Sequence, residues 1–312
     1  MKYIKPAKLG RRVVALLFNL LILFTFAEGT FALATVPILG KHFGAEQLTR
    51  DITRLQLDSH LLVINNHTHS INARPEEEYP EAIYRYYVES DLATKPYSID
   101  QYYDEILLRK SADTLFDFST PVMTSTPWEV KVKQGKEADA KNFYKKAYQA
   151  AINDLEATTA FINLAKPLGD LQAQGHLITY AIFIFIFFLI IPSFTPHGAT
   201  LGHLVMRLGF VTMYGFKMAK AHKPYRAVTS VLINFVGLFL LLPIISVVIL
   251  TVRKDGRSLT DLAAGTLCVD TKESVIFNNI YEMEDFDAKR AVQGATIKKW
   301  RADVLKDEEE GD

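Results

Sequence analysis

The sequence predicts an all-α, multi-pass helical membrane protein with a mainly helical extracytoplasmic insert domain. Its apolar residues gather in three runs, at 13–39, 177–194 and 227–252. A helix rising about 1.5 Å per residue needs a run of this kind to cross roughly 30 Å of hydrocarbon. Acidic residues are absent between Asp170 and Asp255, whereas more than half of the 35 acidic residues lie between Lys41 and His176. This segregation predicts two different solvents along one chain.

The N-terminal segment, residues 1–40, is predicted to form a basic flank and the first transmembrane helix. Residues 2–12 carry five basic side chains and no acid, and Glu28 is the one charged residue in the apolar run that follows. The alternative is a cleaved secretory signal, for which small residues such as Gly29 and Ala32 would supply a cleavage site. The spanning helix is favoured, because related motifs lie on both sides of it.

Residues 41–176 are polar and rich in tyrosine and charge, and they are predicted to form a mainly helical domain. Ser98 followed by Gln101 is typical of a capping box at a helix start. Apolar residues at helical spacing continue until Pro167, which is expected to end the last helix. A short alternation at 128–132 predicts at most a small strand.

The rest of the chain contains two more apolar runs, a basic segment and an acidic tail. Residues 195–226 have no acid and mix basic with apolar residues, which is typical of a segment at the headgroup boundary. The predicted segments after the insert are the second transmembrane helix 177–194, the interfacial segment 195–226, the third apolar run 227–252, a signature segment 253–270 and an acidic tail 271–312.

Charge predicts the topology. Basic segments prefer the cytoplasmic side, so the N-terminus and residues 195–226 should lie inside and the insert 41–176 outside the cytoplasmic membrane of the cell. Basic residues flank the third run on both sides, and a single crossing would export those that follow it. A bent, re-entrant hairpin or a pair of short helices, divided near Pro243, is therefore preferred over one kinked span. Both termini would then be cytoplasmic.

Three short patterns stand beside the apolar runs: Arg12, Ala15 and Asn19; Gly198, Thr200 and Gly202; Arg257, Leu259, Asp261, Gly265 and Thr266. In order and placement, they resemble the motifs of the RDD family, which is named for one arginine and two aspartates. The resemblance covers residues 11–39 and 177–270. It implies a helical membrane protein with a poorly defined role in transport.

The sequence departs from the family pattern at two places. Asn19 stands where the first helix of the family has an aspartate, and His203 and Leu204 stand where lysine and arginine follow the glycine turn. Because asparagine does not titrate, Asn19 is not expected to carry protons.

The candidate intramembrane polar residues are Asn19, Asn234 and Glu28. Polar groups in apolar helices are costly unless partners satisfy them, so Asn19 and Asn234 would either line a ligand path or hydrogen-bond between helices. Hydrogen bonding between helices is favoured. Glu28 lies about 24 Å along the first helix from Val13, which places it near the outer boundary.

Arg12, Arg257 and Asp261 form a candidate charge network at the cytoplasmic end of the helices. Arg257 and Asp261 are four residues apart, a spacing that brings side chains together on a helix. The topology places Arg12 on the same side of the membrane. A structural network is favoured over a transport site.

Several classes of function lack support in the sequence. Phosphate-binding loops, dinucleotide motifs, a nucleophile elbow and zinc-protease motifs are missing, so no catalytic residue, cofactor or metal site is predicted. The single cysteine, Cys268, excludes an intramolecular disulfide, and a net charge of zero argues against nucleic acid as a partner. The expected partners are the lipid bilayer and either further copies of the chain or other membrane proteins.

Two functions remain open from the sequence. The first is a transport-related component for an unidentified ion or small solute, which the RDD resemblance implies. The second is a non-catalytic scaffold or regulatory subunit of a membrane complex, which the large insert and the acidic tail favour.

Overall fold

The computed structural model describes residues 3–65, 68, 70–108, 115–118, 126–253 and 255–293. Most of the acidic tail, residues 294–312, lies outside these ranges. The chain divides into two compact units. We call Met1–Phe31 with His176–Asp312 the terminal unit, and Ala32–Gly175 the insert unit.

Two continuous helical stretches are long and apolar enough to cross a membrane. Leu9–Phe43 has a mean hydropathy of 2.0, and Thr159–Phe194 has one of 2.6. The pieces of these stretches are α1 (Leu9–Thr30), a π-helical turn (Phe31–Thr35), α2 (Val36–Phe43), and, later in the chain, α7 (Thr159–Ile184), a second π-helical segment (Phe185–Ile190) and α8 (Ile191–Phe194).

The second stretch begins earlier than the sequence suggested. Pro167 lies inside α7 and does not end a helix. The break occurs at Thr158, whose backbone is extended and whose Oγ1 accepts a hydrogen bond from the Phe161 amide at 3.2 Å. A proline inside a helix removes one backbone hydrogen bond and crowds the carbonyl four residues earlier, so it weakens or kinks a helix without necessarily ending it.

The terminal unit holds a β-ribbon as well as helices. Strand β5 (Leu208–Thr212) pairs antiparallel with β6 (Thr266–Asp270), with Phe210 opposite Cys268. The described chain is mostly helical, as predicted, but this ribbon departs from the all-α prediction. Nearly every residue of both strands is buried, so the sequence lacks the alternation that marks a half-exposed strand.

The third apolar run is bent. Helix α10 (His222–Asn234) leads into a 3-10 segment (Val236–Leu240), and α11 (Leu242–Val252) follows at an angle of 118° to the preceding helical segment. The turn falls at Leu241, which has φ of 56°, and not at Pro243, which lies in the first turn of α11. Proline is readily accommodated there, because the first helical amides lack partners in any case. Such a bend fits either a broken span or a re-entrant loop.

Short elements complete the terminal unit. They are α9 (Leu201–Val205), α12 (Leu259–Ala263) and a helix at residues 280–293. Chain segments before α1 also join the ribbon, since the Ala7 amide donates to the Cys268 carbonyl at 3.0 Å.

The insert unit is built around buried tyrosines. Tyr86 and Tyr102 are fully buried, and the buried Tyr148 belongs to the same core. Ser98 and Gln101 form the expected capping box. The elements of this unit after α2 are α3 (Ala45–Asp58), the hairpin β1 (Leu62–Ile64) with β2 (Ile71–Ala73), α4 (Tyr79–Tyr84), α5 (Ile99–Tyr102), the pair β3 (Phe116–Asp117) with β4 (Lys131–Val132), and α6 (Glu137–Ala157).

Candidate functional site

The candidate site is centred on Asp261, which is 1% exposed. Asp261 is the third residue of α12, and Ser258 is its N-cap. Ser258 Oγ accepts from the Asp261 amide at 3.2 Å, and Asp261 Oδ2 accepts from the Ser258 amide at 3.3 Å. The two bonds of this capping box join Ser258 and Asp261 within one turn, and they fix the direction of the Asp261 carboxylate.

Two arginines from different helices meet this carboxylate. Arg12 of α1 donates from Nη1 to Asp261 Oδ2 at 3.2 Å, and Arg226 of α10 donates from Nη2 to Oδ1 at 3.3 Å. Both guanidinium groups are buried. Asp261 therefore joins α1, α10 and α12 at one point. We call Arg12, Arg226 and Asp261 the arginine–aspartate cluster.

Neighbouring groups complete the cluster. Thr266 Oγ1 donates to Asp261 Oδ1 at 3.4 Å and accepts from Arg226 Nε at 3.3 Å. Arg12 Nη2 donates to the carbonyl of Cys268 at 3.0 Å. Each carboxylate oxygen thus accepts from two donors, and both arginines reach the β-ribbon as well as the aspartate.

The cluster carries two positive charges and one negative charge. The guanidinium of Arg226 lies over the ring of Phe210, 3.1 Å from its centroid, where the electron-rich face offsets part of the unpaired charge. Arg12 Nε is buried and has no hydrogen-bond partner among the described residues. A buried pair of this kind adds little net stability but is expensive to break.

Groups beside the cluster are held neutral. Burial and the positive charge of Arg226 lower the pKa of His203 to about 3, so its ring is uncharged near neutral pH. His203 Nδ1 lies 2.6 Å from Thr200 Oγ1. Burial raises the pKa of the Cys268 thiol to about 12. Neither group is suited to act as a base or a nucleophile near pH 7.

Arg257 is not part of the cluster, which corrects the expected network. Its Nε lies 3.0 Å from Asp255 Oδ2, and Arg253 pairs with the same carboxylate. Arg257 precedes the N-cap of α12, so it lies outside the helix. Its four-residue spacing from Asp261 therefore does not place the two side chains on one helix face. Arg226 occupies the place expected for Arg257.

Asn19 contacts the glycine turn and not Asn234. Asn19 Oδ1 accepts from the amide of Gly202 at 2.7 Å, and the contact is buried. A Cβ at Gly202 would lie 2.1 Å from the carbonyl oxygen of Ala15, so only glycine allows α9 to approach α1 this closely. Asn234 instead donates to the carbonyl of Ser230 in its own helix at 2.9 Å.

The other residues of the glycine turn also have defined roles. Gly198 has φ of 63°, in the left-handed region, and a Cβ there would lie 2.6 Å from the Met218 side chain. Thr200 is the N-cap residue of α9. The turn therefore allows a short helix to start directly against α1.

Glu28 lies near the C-terminal end of α1. Its Oε1 accepts from the Tyr180 hydroxyl at 2.6 Å and lies 3.9 Å from His176 Nδ1. The Glu28 side chain is 54% exposed. Its contacts are therefore with α7 and remote from the arginine–aspartate cluster.

The sequence interpretation missed two contributors to the site. From the sequence, Arg226 is only one of the basic residues that flank the third apolar run. Arg11 bonds the buried Asp270 at the end of β6, and this second ion pair was not expected. Arg11, next to Arg12, was an available signal, but its partner could be found only once the ribbon was known. In the part of the chain that the structure describes, no group of His, Cys, Asp or Glu could hold a metal ion.

Comparison with known families supports the resemblance. Residues 156–265 match the model of the RDD family. The match contains the glycine turn Gly198–Gly202 and the signature from Arg257 to Gly265, and the rest of the chain, including α1, lies outside it. The RDD resemblance is therefore confirmed for this part of the chain, and with the apolar helices it indicates a protein located in a membrane. No curated protein and no solved structure matches the chain.

Proposed function

We propose that the chain is a non-catalytic membrane scaffold or regulatory subunit. Its RDD part would hold it in the bilayer, and its insert unit would contact partner proteins. The observation that carries this proposal is the environment of Asp261, whose two oxygens accept from four donors. A carboxylate whose two oxygens already accept from four donors, two of them on buried arginines, is poorly placed to coordinate a transported cation.

The polar side chains of the apolar helices support the same function. Asn19 is satisfied by the Gly202 amide, and Asn234 by its own helix. The Asn19 contact joins two helices and contributes on the order of 1 kcal/mol to their packing, whereas the Asn234 bond satisfies that side chain locally. These asparagines would serve the fold rather than a solute path.

Site-directed photo-crosslinking tests the scaffold. A photoreactive residue would replace Lys146, which is exposed on α6, and the matched control would replace Glu284, exposed in the helix at residues 280–293. We expect one protein to crosslink from position 146 in native membranes, in stoichiometric yield and at unchanged expression. Lack of a defined adduct from position 146, or the same adduct from position 284, would contradict the scaffold.

Transport is the second candidate, and Glu28 is the observation that favours it. Glu28, Tyr180 and His176 place three ionisable groups together on two apolar helices. A transport path built on them would need a second copy of the chain, because the Glu28 side chain is largely exposed.

Proton flux into reconstituted vesicles under an imposed pH gradient tests this alternative. If the chain transports protons through this group, flux should be lost in Glu28→Gln and kept in Glu46→Gln, which removes an exposed acid of the insert unit. Flux no greater than that of empty vesicles would remove support for proton transport.

A further inference from the structure

A group of basic side chains surrounds the start of α10. Lys217 and Lys220 are exposed on the segment before the helix, Lys223 lies in its first turn, and His197 lies in the turn that follows α8. No acidic residue occurs between residues 195 and 226. We call Lys217, Lys220, Lys223 and His197 the basic cluster.

The fold brings these residues to one place from separate segments. The His197 carbonyl accepts from the Phe210 amide at 3.0 Å, and the His197 side chain packs against Gly209 of β5. Lys217 forms a β-bridge with Val211 of the same strand. Lys223 Nζ donates to the carbonyl of Thr195, two residues before His197, at 2.7 Å. The cluster is therefore built by β5 and the glycine turn together.

The charges in this cluster are uncompensated within the described residues. No ion pair there involves Lys217, Lys220 or Lys223. Helix α10 has no acidic residue in its first turn and no side-chain cap. The N-terminus of a helix carries partial positive charge, so cations next to it are unfavourable unless an anion is present.

The side chain of His197 is affected by the positive charges of the same lysines. Burial, together with the charges of Lys217 and Lys223, lowers its pKa. Its Nδ1 is buried and has no hydrogen-bond partner among the described residues. This atom is therefore a spare polar group at the edge of the cluster.

Exposed apolar side chains adjoin the cluster in the chain. Phe194 is 84% exposed and Tyr214 is 72% exposed, and Met213 is exposed beside Tyr214. Aromatic and apolar side chains next to lysines are typical of segments that enter the headgroup and upper acyl region of a bilayer. A soluble anion would account for the lysines but not for these apolar neighbours.

We propose that the basic cluster binds the phosphate of an anionic membrane phospholipid. Lys217 and Lys220 supply exposed ammonium groups for the phosphate oxygens, and the partial positive charge at the N-terminus of α10 favours the same anion. The apolar neighbours contact the acyl chains. This site goes beyond the scaffold function and does not depend on it, because it requires only that the terminal unit is in a membrane.

Lipid binding by the purified full-length chain tests the proposal. The protein in an uncharged detergent would be titrated with fluorescent phosphatidylglycerol, and separately with phosphatidylcholine carrying the same dye. We expect preferential binding of phosphatidylglycerol, weakened by high salt. In the double variant Lys217→Gln, Lys220→Gln, that binding should weaken roughly thirtyfold, since each lysine near an anionic headgroup contributes about 1 kcal/mol.

A charge-matched control separates this site from general attraction. Lys145→Gln with Lys146→Gln removes two exposed charges from α6 and should leave lipid binding unchanged. Unaltered melting temperatures for both double variants would establish that each is folded. Equal binding of both lipids, or equal weakening in both double variants, would overturn the proposal. Displacement of the lipid by millimolar inorganic phosphate would overturn the proposal, because the site would then bind free phosphate and not a lipid headgroup.

Discussion

At the scale of single residues, Asp261 combines two functions that usually fall to different side chains. It closes the capping box of α12 and also pairs with Arg12 and Arg226. The capping bond already restricts the direction of the Asp261 carboxylate. Forming the two ion pairs therefore costs little additional side-chain entropy at Asp261. The cluster is consequently sensitive to loss of the carboxylate, which would leave two buried guanidinium groups facing each other.

The first prediction concerns the charge of Asp261. Asp261→Asn retains a capping side chain but leaves Arg12 and Arg226 without a counter-charge. We expect the free energy of unfolding to fall by about 3–5 kcal/mol, the usual cost of breaking a buried ion pair from one side. Arg12→Gln or Arg226→Gln should cost less, because one arginine still neutralises Asp261. Unfolding curves in mild detergent measure all three changes.

Arg257→Gln is the matched control for these variants. Arg257 pairs with Asp255, whose side chain is 32% exposed, so the cost should stay within about 1 kcal/mol. Combining Asp261→Asn with Arg226→Gln should give a coupling well above 0.5 kcal/mol. Additive effects, or a loss for Arg257→Gln as large as that for Arg226→Gln, would show that the cluster does not act as one unit.

The second prediction concerns His203 and pH. Its folded-state pKa of about 3 lies below the ordinary 6.5, so the unfolded chain gains this proton first as the pH falls. The contribution of the neutral ring is complete above pH 6.5 and declines below it, at most by about 1.4 kcal/mol per pH unit. We expect His203→Gln to flatten the decline between pH 6.5 and pH 4.5 in thermal unfolding. An unchanged decline in His203→Gln would contradict this prediction.

At the scale of elements, the contact between α1 and α9 depends on small residues. The buried face of α1 runs through Arg12, Ala15, Asn19, Leu23 and Ala27, spaced three or four residues apart. This spacing follows one side of a helix, and the sequence placed the first three on a common face. The structure adds that Gly202 is the residue on the opposite side of the contact.

The third prediction tests this contact. A methyl group at Gly202 would meet the Ala15 carbonyl oxygen at 2.1 Å, and a backbone atom cannot move aside as a flexible side chain can. We expect Gly202→Ala to lower the free energy of unfolding by at least about 2 kcal/mol, as overpacking does in other close contacts. Thermal unfolding in detergent is the measurement.

Gly10→Ala provides the control for Gly202→Ala. Gly10 lies in the first turn of α1, and a Cβ there would meet nothing within 4 Å. Alanine favours the helix over glycine, so this change should be neutral or stabilising by up to about 1 kcal/mol. If both alanine variants behaved alike, close packing at Gly202 would not be the reason for its glycine.

The elements differ in how far the sequence could predict them. The first apolar run and the capping box at Ser98 are local patterns, and the helices that they predict are present. The helix of the second run begins earlier than its apolar residues indicate, at Thr159. The ribbon of β5 and β6 joins segments more than fifty residues apart, and its buried strands carry no alternation. The bend at Leu241 was misplaced to Pro243 because a proline marks a helix start as readily as a break.

The candidate site was predictable only in part for the same reason. Arg12 and Asp261 could be joined by topology, since the predicted topology places both on the cytoplasmic side of the apolar runs. Arg226 could not be preferred to Arg257 from spacing, because that choice depends on where α12 begins. A start at Ser258 leaves Arg257 outside the helix.

At the scale of the whole molecule, charge segregation gives the strongest constraint on topology. The acid-rich insert unit and the acid-free segment 195–226 should face opposite sides of the membrane, because retained lysine and arginine mark the cytoplasmic side. Within the terminal unit, residues 5–7 pair with residues 268–270. The chain before α1 and the chain after α11 should therefore lie on the same side of the membrane.

The fourth prediction is that the insert unit faces outward and both ends of the terminal unit face the cytoplasm. Single cysteines would replace Lys146 in α6 and Glu284 in the helix at residues 280–293, both exposed positions. The native Cys268 is buried, so the unaltered chain should give little label and serves as the background. With a membrane-impermeant maleimide, we expect position 146 to react in intact cells and position 284 only after permeabilisation. The reverse pattern would invert the topology. Labelling of both positions in intact cells would also contradict the prediction, because residue 284 would then lie outside with the insert.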